Sequence, residues 1–287
     1  MANEQLPDDH YRISYEEIHL DIAETARQIR QTFAPDLMVA IGGGGFFPAR
    51  VLRTFLKREG SNGKLVNVPI QAIGLSLYED LGQAEKALQS SGPSSLGKIG
   101  VEVVRTQWLD APKRDIKDGN AQTQHGGLLG KNILIVDEVD DSRTTLRYAY
   151  NELLSDVRKA LAALTPEQRA QTPPTRFAIF VVHNKLRSKK GSLPIVWSNH
   201  AVTEKDQPTD EAVGSTGTVQ RLADGQEVVG QRKDENGTVV SGVWYFAAET
   251  TGNIWIEYPW EQDDILEHNR LTALAKKLGQ NGKRDSE

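Results

Sequence analysis

Residues 133–146 read ILIVDEVDDSRTTL. The apolar run Ile133–Val136 has the composition of a buried strand. It ends in Asp137, Glu138, Asp140 and Asp141, followed at once by Ser142, Arg143, Thr144 and Thr145. An isolated acidic run of this kind is most often a solvated turn with helix-capping hydroxyls. Two features argue for more. The strand places the acids at the rim of a core. The hydroxyls and amides that follow open a helix, over about 144–159, whose N-terminus attracts anions. Carboxylates beside an anion site make a pocket of both signs. The acids suit sugar hydroxyls, Mg²⁺ or a proton, and the amides suit a phosphate. A phosphorylated sugar satisfies both halves. Asp140 has no part in this scheme and is expected to face solvent.

A second stretch, IGGGGFFPAR at 41–50, lies in the same kind of place, between the apolar run Leu37–Ile41 and a helix expected to open at Pro48. Glycine runs are most often spacers. This one is pinned at both ends, and glycine lets an anion approach the backbone closely. No Gly-Lys-Ser/Thr follows, and Phe47 stands where G-x-G-x-x-G needs its last glycine, so neither nucleotide-loop fingerprint fits. Alone, Gly42–Gly45 is a weak phosphate signal. Together the two loops read as two anion sites flanking one ribose.

The 287 residues are 38% hydrophobic and 25% charged, an ordinary globular balance with a formal net charge of −5. Nothing in that charge points to nucleic acid or a membrane surface. The chain has no cysteine, which excludes disulfides and thiolate chemistry. No zinc-ligand spacing occurs among the six histidines. His183 reads as a packing residue at a strand end. The acidic start, MANEQLPDD, is neither a secretory nor a transit signal. No apolar run reaches the roughly 18 residues that span a bilayer, and a cytoplasmic location is expected.

Strand and helix patterns alternate through the first two thirds: a helix over 14–33 behind the capping box Ser14–Glu17, then strands at 37–41, 66–78, 132–136 and 177–183. That alternation predicts an α/β fold with a mainly parallel central sheet flanked by helices. Ligands bind such sheets beyond the carboxyl ends of the strands, where both loops fall. Residues 199–242 are polar, with Asp-Gly and Asn-Gly pairs that suit hairpin turns. They read as a surface insertion, part hairpin and part disordered. The remaining division is a core over 11–198, hood strands and a closing helix over 243–278, and flexible termini at 1–10 and 279–287.

The constellation resembles the type I phosphoribosyltransferases. IAIGGGGFFPARVLRTFLK, LSLYEDL, RTQW, ILIVDEVDDSRTTL and IWIEYPWE together are similar to the fungal-type hypoxanthine-guanine enzymes, and IWIEYPWE also to bacterial xanthine-guanine enzymes. The resemblance covers most of 11–198 and 243–266. It implies the type I fold with a small hood, and purine salvage: hypoxanthine or guanine plus phosphoribosyl pyrophosphate giving IMP or GMP and pyrophosphate. It implies that Asp137 and Glu138 hold the ribose diol with Mg²⁺ alongside, and that Asp141 faces N7 of the purine as the catalytic acid. Ser142, Arg143, Thr144 and Thr145 then cradle the 5-phosphate. Gly42, Gly43, Gly44 and Gly45 bind the pyrophosphate. Ser76 and Tyr78 belong to a mobile catalytic loop. Trp255 stacks on the base, Ile256 and Glu257 offer backbone groups to its edge, and Lys185 donates to the oxygen at C6. Glu261 is a further metal contact. The partners are the purine base, phosphoribosyl pyrophosphate and a second copy of the chain as a homodimer, with no nucleic acid and no membrane.

Two positions depart from the pattern. Many relatives carry glycine where Arg143 stands, and many carry Lys or Arg within the stretch held here by Gly42 and Gly43. Pyrophosphate would then rely on amides, Mg²⁺ and basic residues such as Arg105 or Arg50. Three other readings stay open: the same class acting on xanthine, a non-catalytic purine or phosphoribosyl pyrophosphate sensor on the same fold, and an unrelated α/β phosphosugar enzyme.

Overall fold

Four apolar runs, LMVAI, ILIV, FAIFVV and VWYFA, lie side by side as parallel strands. The computed structural model describes residues 5–60, 62–78, 102–109, 127–200, 218–221, 227–233, 239–240 and 242–279. In chain order its elements are β1 (Tyr11–Arg12), α1 (Tyr15–Thr32), β2 (Leu37–Gly42), α2 (Phe46–Phe55), β3 (Lys57–Glu59), β4 (Leu65–Asn67), β5 (Ile70–Tyr78), β6 (Glu102–Gln107), β7 (Asn132–Asp140), α3 (Thr144–Ala162) and α4 (Pro166–Gln171). Then follow β8 (Arg176–Lys185), β9 (Ile195–Ser198), β10 (Thr218–Arg221), β11 (Glu227–Lys233), β12 (Val239–Val240), β13 (Val243–Thr251), β14 (Ile256–Glu257) and α5 (Ile265–Lys277).

The central sheet has the order β6-β5-β2-β7-β8-β13-β9. Every pairing is parallel except that of β5 with β6. Such strands are covered on both faces and so read as continuous apolar runs. Met38, Leu134, Val136 and Phe180 face α1 and α2, through Ile22, Ile29 and Leu52. Their neighbours Val39, Ile133, Ile135 and Ile179 face α3, through Leu146, Ala149 and Leu153. The expected α/β architecture with a mainly parallel sheet is the one found.

Three local departures have physical causes. Helix α2 opens at Phe46, not Pro48; proline at the third helical position still lacks only an N–H that no helical carbonyl needs. Strand β7 runs on through the acids to Asp140, because Val139 and Asp140 pair with His183 and Asn184 of β8. The polar stretch TPEQRAQ, which carries no apolar periodicity, contains α4, started by a capping box between Thr165 and Gln168 with Pro166 in the first turn.

Strands β10, β11 and β12 form a separate antiparallel sheet. The Asp-Gly and Asn-Gly pairs between them lie outside the described residues. No helix among the described residues is long and apolar enough to cross a membrane.

Candidate active site

The carboxyl ends of β2, β7 and β8 meet at one edge of the sheet and deliver three loops to one place. The glycine loop is built against the acids. A Cβ on Gly44 would lie 2.2 Å from Cδ of Glu138, and one on Gly45 would lie 2.3 Å from the Val136 carbonyl oxygen. Glycine at position 45 is therefore a backbone packing requirement, while a side chain at position 44 would have to displace the Glu138 side chain. Gly43 is exposed and a Cβ there would meet nothing within 4 Å, so this part of the loop is open to a ligand. The Gly42–Gly43 peptide is cis.

Asp137 and Glu138 are half-buried. Asp137 accepts a hydrogen bond from the Glu138 amide (2.9 Å), yet burial pushes its carboxyl up to about 8. Burial and the charge of nearby Glu261 push Glu138 up to about 7, against the pull of the Trp260 indole N–H that it accepts at 2.8 Å. Burial disfavours the ionised forms, and a hard divalent cation restores them. An oxygen-only set of one or two carboxylates is what Mg²⁺ takes when the rest of its shell is water and substrate phosphate. These residues therefore fit the ion that the sequence implies. Glu261 is exposed, in a short 3₁₀ turn at Pro259–Glu261.

Asp140 does not face solvent. It is 0% exposed and is the hub of a buried cluster. Arg143 donates to it from Nε (2.9 Å) and Nη2 (2.7 Å), and the Tyr245 hydroxyl donates at 2.9 Å. Lys189 approaches its side chain at 3.3 Å and donates to the backbone carbonyls of Asp140 (2.6 Å) and Asp141 (3.1 Å). The solvent expectation failed because the four acids were read as one turn. Asp140 instead stays in the sheet, paired with Asn184 of β8, and its side chain reaches the α3 face where Tyr245 and Arg143 lie.

Arg143 has φ +66°, in the left-handed region that favours glycine. This is a physical reason for a glycine at this position in relatives. Here an arginine adopts it, and its side chain turns inward to Asp140 and over the Tyr245 ring (5.4 Å to the centroid). Only its backbone remains with the turn. That turn is braced from below, as Lys190 and Gly191 donate amides to the Ser142 carbonyl (3.0 and 3.3 Å). Ser142 donates to the Thr144 hydroxyl (3.0 Å), and Thr144 and Thr145 begin α3. The Thr144 amide donates to the Ser142 hydroxyl (3.4 Å), and a helix N-terminus of this kind is suited to an anion.

Asp141 is half-exposed at the mouth, held by Arg187 (2.7 Å) with Lys185 at 3.7 Å. Lys185 ends β8 with its Nζ 5.9 Å from the Trp255 ring centroid. The basic run HNKLRSKK is thus the complement of the acidic run on the neighbouring strand: Lys185 and Arg187 serve Asp141, Lys189 serves Asp140, and the Lys190 amide serves Ser142. Trp255 is 65% exposed, with the Lys185 Nζ over its ring and the His10 ring at 6.1 Å. The Ile256 side chain is buried in the core, and the Glu257 carboxylate is taken up by His10 and Arg12, so both side chains are engaged within the fold.

Sequence reasoning missed Trp260, which stacks on Tyr258 (4.8 Å, 12°) and Phe47 (5.2 Å, 7°) while bonding Glu138. It also missed His183, which is more than packing: it meets the Tyr258 hydroxyl at 2.8 Å and Glu249 at 3.3 Å. Ser76 and Tyr78 lie on β5, two and four residues beyond Gly74, the partner of Gly42. Their side chains, and that of Arg105, lie outside the described residues. Arg50 is exposed and donates to Thr54 (3.3 Å), one turn along α2.

The chain is 41% identical over 260 residues to the hypoxanthine-guanine phosphoribosyltransferase of Schizosaccharomyces pombe, covering 91% of this chain and 93% of that one. It is 38% identical over 264 residues to the Saccharomyces cerevisiae hypoxanthine-guanine phosphoribosyltransferase (92% and 90% covered) and 37% identical over 272 residues to xanthine phosphoribosyltransferase 1 of the same yeast (93% and 95% covered). Among solved structures it is similar to a hypothetical protein from Neisseria gonorrhoeae with bound ppGpp, with TM-score 0.53 and 28% identity over 92% of this chain and 96% of that one. No family model matches. Identity at this level over nine tenths of the sequence, on a site of this construction, makes the chain a member of the purine phosphoribosyltransferase family.

Proposed function

We propose that the protein transfers the phosphoribosyl group of phosphoribosyl pyrophosphate to N9 of a 6-oxopurine, hypoxanthine or guanine first and xanthine second. The products are the nucleoside 5′-monophosphate and pyrophosphate. One observation carries this reading: the Glu138 side chain abuts Gly44 and is bonded by Trp260. The pyrophosphate loop, the sugar acids and the segment bearing the base platform thus meet on one residue.

The roles are those the resemblance implies, and the placement of the loops supports them. Asp137 and Glu138 take the ribose 2′- and 3′-hydroxyls. Asp137 and Glu138, with Glu261 nearby, would hold Mg²⁺, which would supply charge neutralisation for the pyrophosphate group. The amides of the open Gly42–Gly45 loop stabilise the same group. The turn Ser142–Thr145 and the first amides of α3 hold the 5-phosphate, with the Arg143 side chain out of the way. Trp255 stacks on the purine, and the backbone of Ile256 and Glu257 reads its edge. Lys185 donates to the C6 oxygen, which adenine lacks. Bond breaking at C1 runs ahead of bond making, as in glycoside chemistry, and Asp141 manages the purine proton near N7. A homodimer, a cytoplasmic location and a lid role for Ser76 and Tyr78 are carried over from the resemblance.

Incubation with Mg²⁺, phosphoribosyl pyrophosphate and each of adenine, hypoxanthine, guanine and xanthine tests this directly. Product is expected from hypoxanthine and guanine and not from adenine. Product from xanthine alone would assign the second base reading, and no product from any base would favour a sensor.

A further inference from the structure

The segment Asp8–Arg12 does not trail from the fold. Arg12 is 3% exposed and its guanidinium bridges two carboxylates. It donates to Asp8 at 2.8 and 2.7 Å, and meets Glu257 at 2.9 Å from Nε and 3.2 Å from Nη2. His10 Nδ1 is bonded to the same Glu257 carboxylate, and its ring lies 6.1 Å from that of Trp255 at 40°. The Tyr11 amide donates to the Trp255 carbonyl at 2.8 Å. Strand β14 pairs with β1 alone among the described strands, in the register Tyr11↔Ile256 and Arg12↔Glu257. Each of Trp255, Ile256 and Glu257 is therefore held by the first dozen residues, about 240 positions away.

The base platform needs such support. Trp255 is mostly exposed, and β14 is two residues long and stands apart from the central sheet. The support itself is anchored: His268 of α5 meets the Ile13 carbonyl at 2.9 Å, and Lys276 pairs with Glu17 at 2.8 Å. Asp8, His10 and Glu257 have ligand-type atoms within 4.8 Å of one another. Arg12 already supplies the cation between the two carboxylates, so the group is a clamp and not a metal centre.

We propose that residues 8–12 form a clamp that fixes the purine-stacking segment, with Arg12 as the positioning residue acting through Glu257 and His10 as a second hold on the same carboxylate beside Trp255. The proposal rests on reading 255–257 as the base site. A misplacement of residues 255–257 by about 1 Å acts first on base binding, because the sugar acids sit on β7 and are held from Tyr258 and Trp260, beyond the clamped residues.

The test is a steady-state comparison of wild type with Arg12→Ala, His10→Ala, Glu257→Ala and the Arg12→Ala/Glu257→Ala double variant, alongside amide hydrogen exchange over 254–258. Arg12→Ala is expected to raise KM for the base about tenfold and leave KM for phosphoribosyl pyrophosphate within about twofold. The double variant is expected to be no worse than either single one, because both remove the same clamp. His10→Ala, which removes no buried charge, is expected to raise base KM severalfold at unchanged Tm, and this keeps the test available if Arg12→Ala does not fold. Unchanged base KM in folded variants, equal rises in both KM values, or additive losses would each overturn the clamp. Faster exchange of 254–258 in the variants is expected whether or not the wild type turns over. An inactive wild type with that exchange change sinks the functional reading alone.

Discussion

Arg143 and Asp140, three residues apart, form a buried ion pair at 2.7 Å beneath the turn Ser142–Thr145, with the Arg143 backbone in the left-handed region. The pair explains how an arginine occupies a glycine-favouring position. The strain of that conformation, about 1–2 kcal/mol, is offset by the ion pair with a buried carboxylate that Tyr245 and Lys189 also contact. Arg143→Gly therefore relieves strain but leaves Asp140 with Tyr245 and Lys189 only. Breaking a buried pair costs about 3–5 kcal/mol, so a net loss of about 2 kcal/mol is expected in chemical denaturation. The variant's KM for phosphoribosyl pyrophosphate should change little, since only the Arg143 backbone stays with the turn. A stabilised variant would contradict this account of the pair.

The glycines separate packing from ligand approach. Gly45→Ala would press a Cβ onto two backbone carbonyls, and neither can move freely. It should lower stability, read as a fall in Tm. Gly44→Ala would press mainly on the Glu138 side chain, which can swing. It should fold with a near-normal Tm and a raised KM for phosphoribosyl pyrophosphate. The reverse ranking would mean that the loop is not packed on the acids as described.

The acid pair makes stability fall with rising pH in the ligand-free protein. Unfolded carboxyls titrate near 4, whereas burial raises Asp137 to about 8 and Glu138 to about 7 in the fold. Between these limits the native state holds more protons than the unfolded state, so the contribution present at low pH is lost as pH climbs through 7 and 8. The Asp137→Asn/Glu138→Gln variant should show a flatter pH dependence than wild type in denaturation at about pH 5.5 and about pH 8. Mg²⁺ with phosphoribosyl pyrophosphate should restore wild-type stability more at the higher pH. Parallel profiles for the two proteins would show that these carboxyls are not raised.

Much of the frame was legible in the sequence because its signals are local. Apolar runs broken by glycines and acids mark parallel strands and their carboxyl ends, and Ser14 with Glu17 marks α1. The same capping signal at Thr165 and Gln168 was present, but it was hidden in a stretch rich in proline and polar residues. The partners of Asp140 could not be read. They come from β13, from the turn after β8 and from Arg143 itself, and only the sheet order brings them together. The same holds for Arg12 and Glu257, joined by a parallel pairing between the two ends of the chain. Trp260 looked like one more aromatic of IWIEYPWE until its indole was seen on Glu138.

Asp141 carries the central claim, that these loops form one phosphoribosyl-transfer site with a proton-handling acid at its mouth. Its carboxylate, held by Arg187 and approached by Lys185, stands apart from the Asp137–Glu138 pair and from the buried Asp140. The direct measurement is kcat and both KM values of Asp141→Asn with hypoxanthine or guanine. General acid–base help is typically worth about 10²–10⁴-fold. The account predicts a fall in kcat within that range with KM for phosphoribosyl pyrophosphate nearly unchanged. Near-normal turnover by this variant would contradict it.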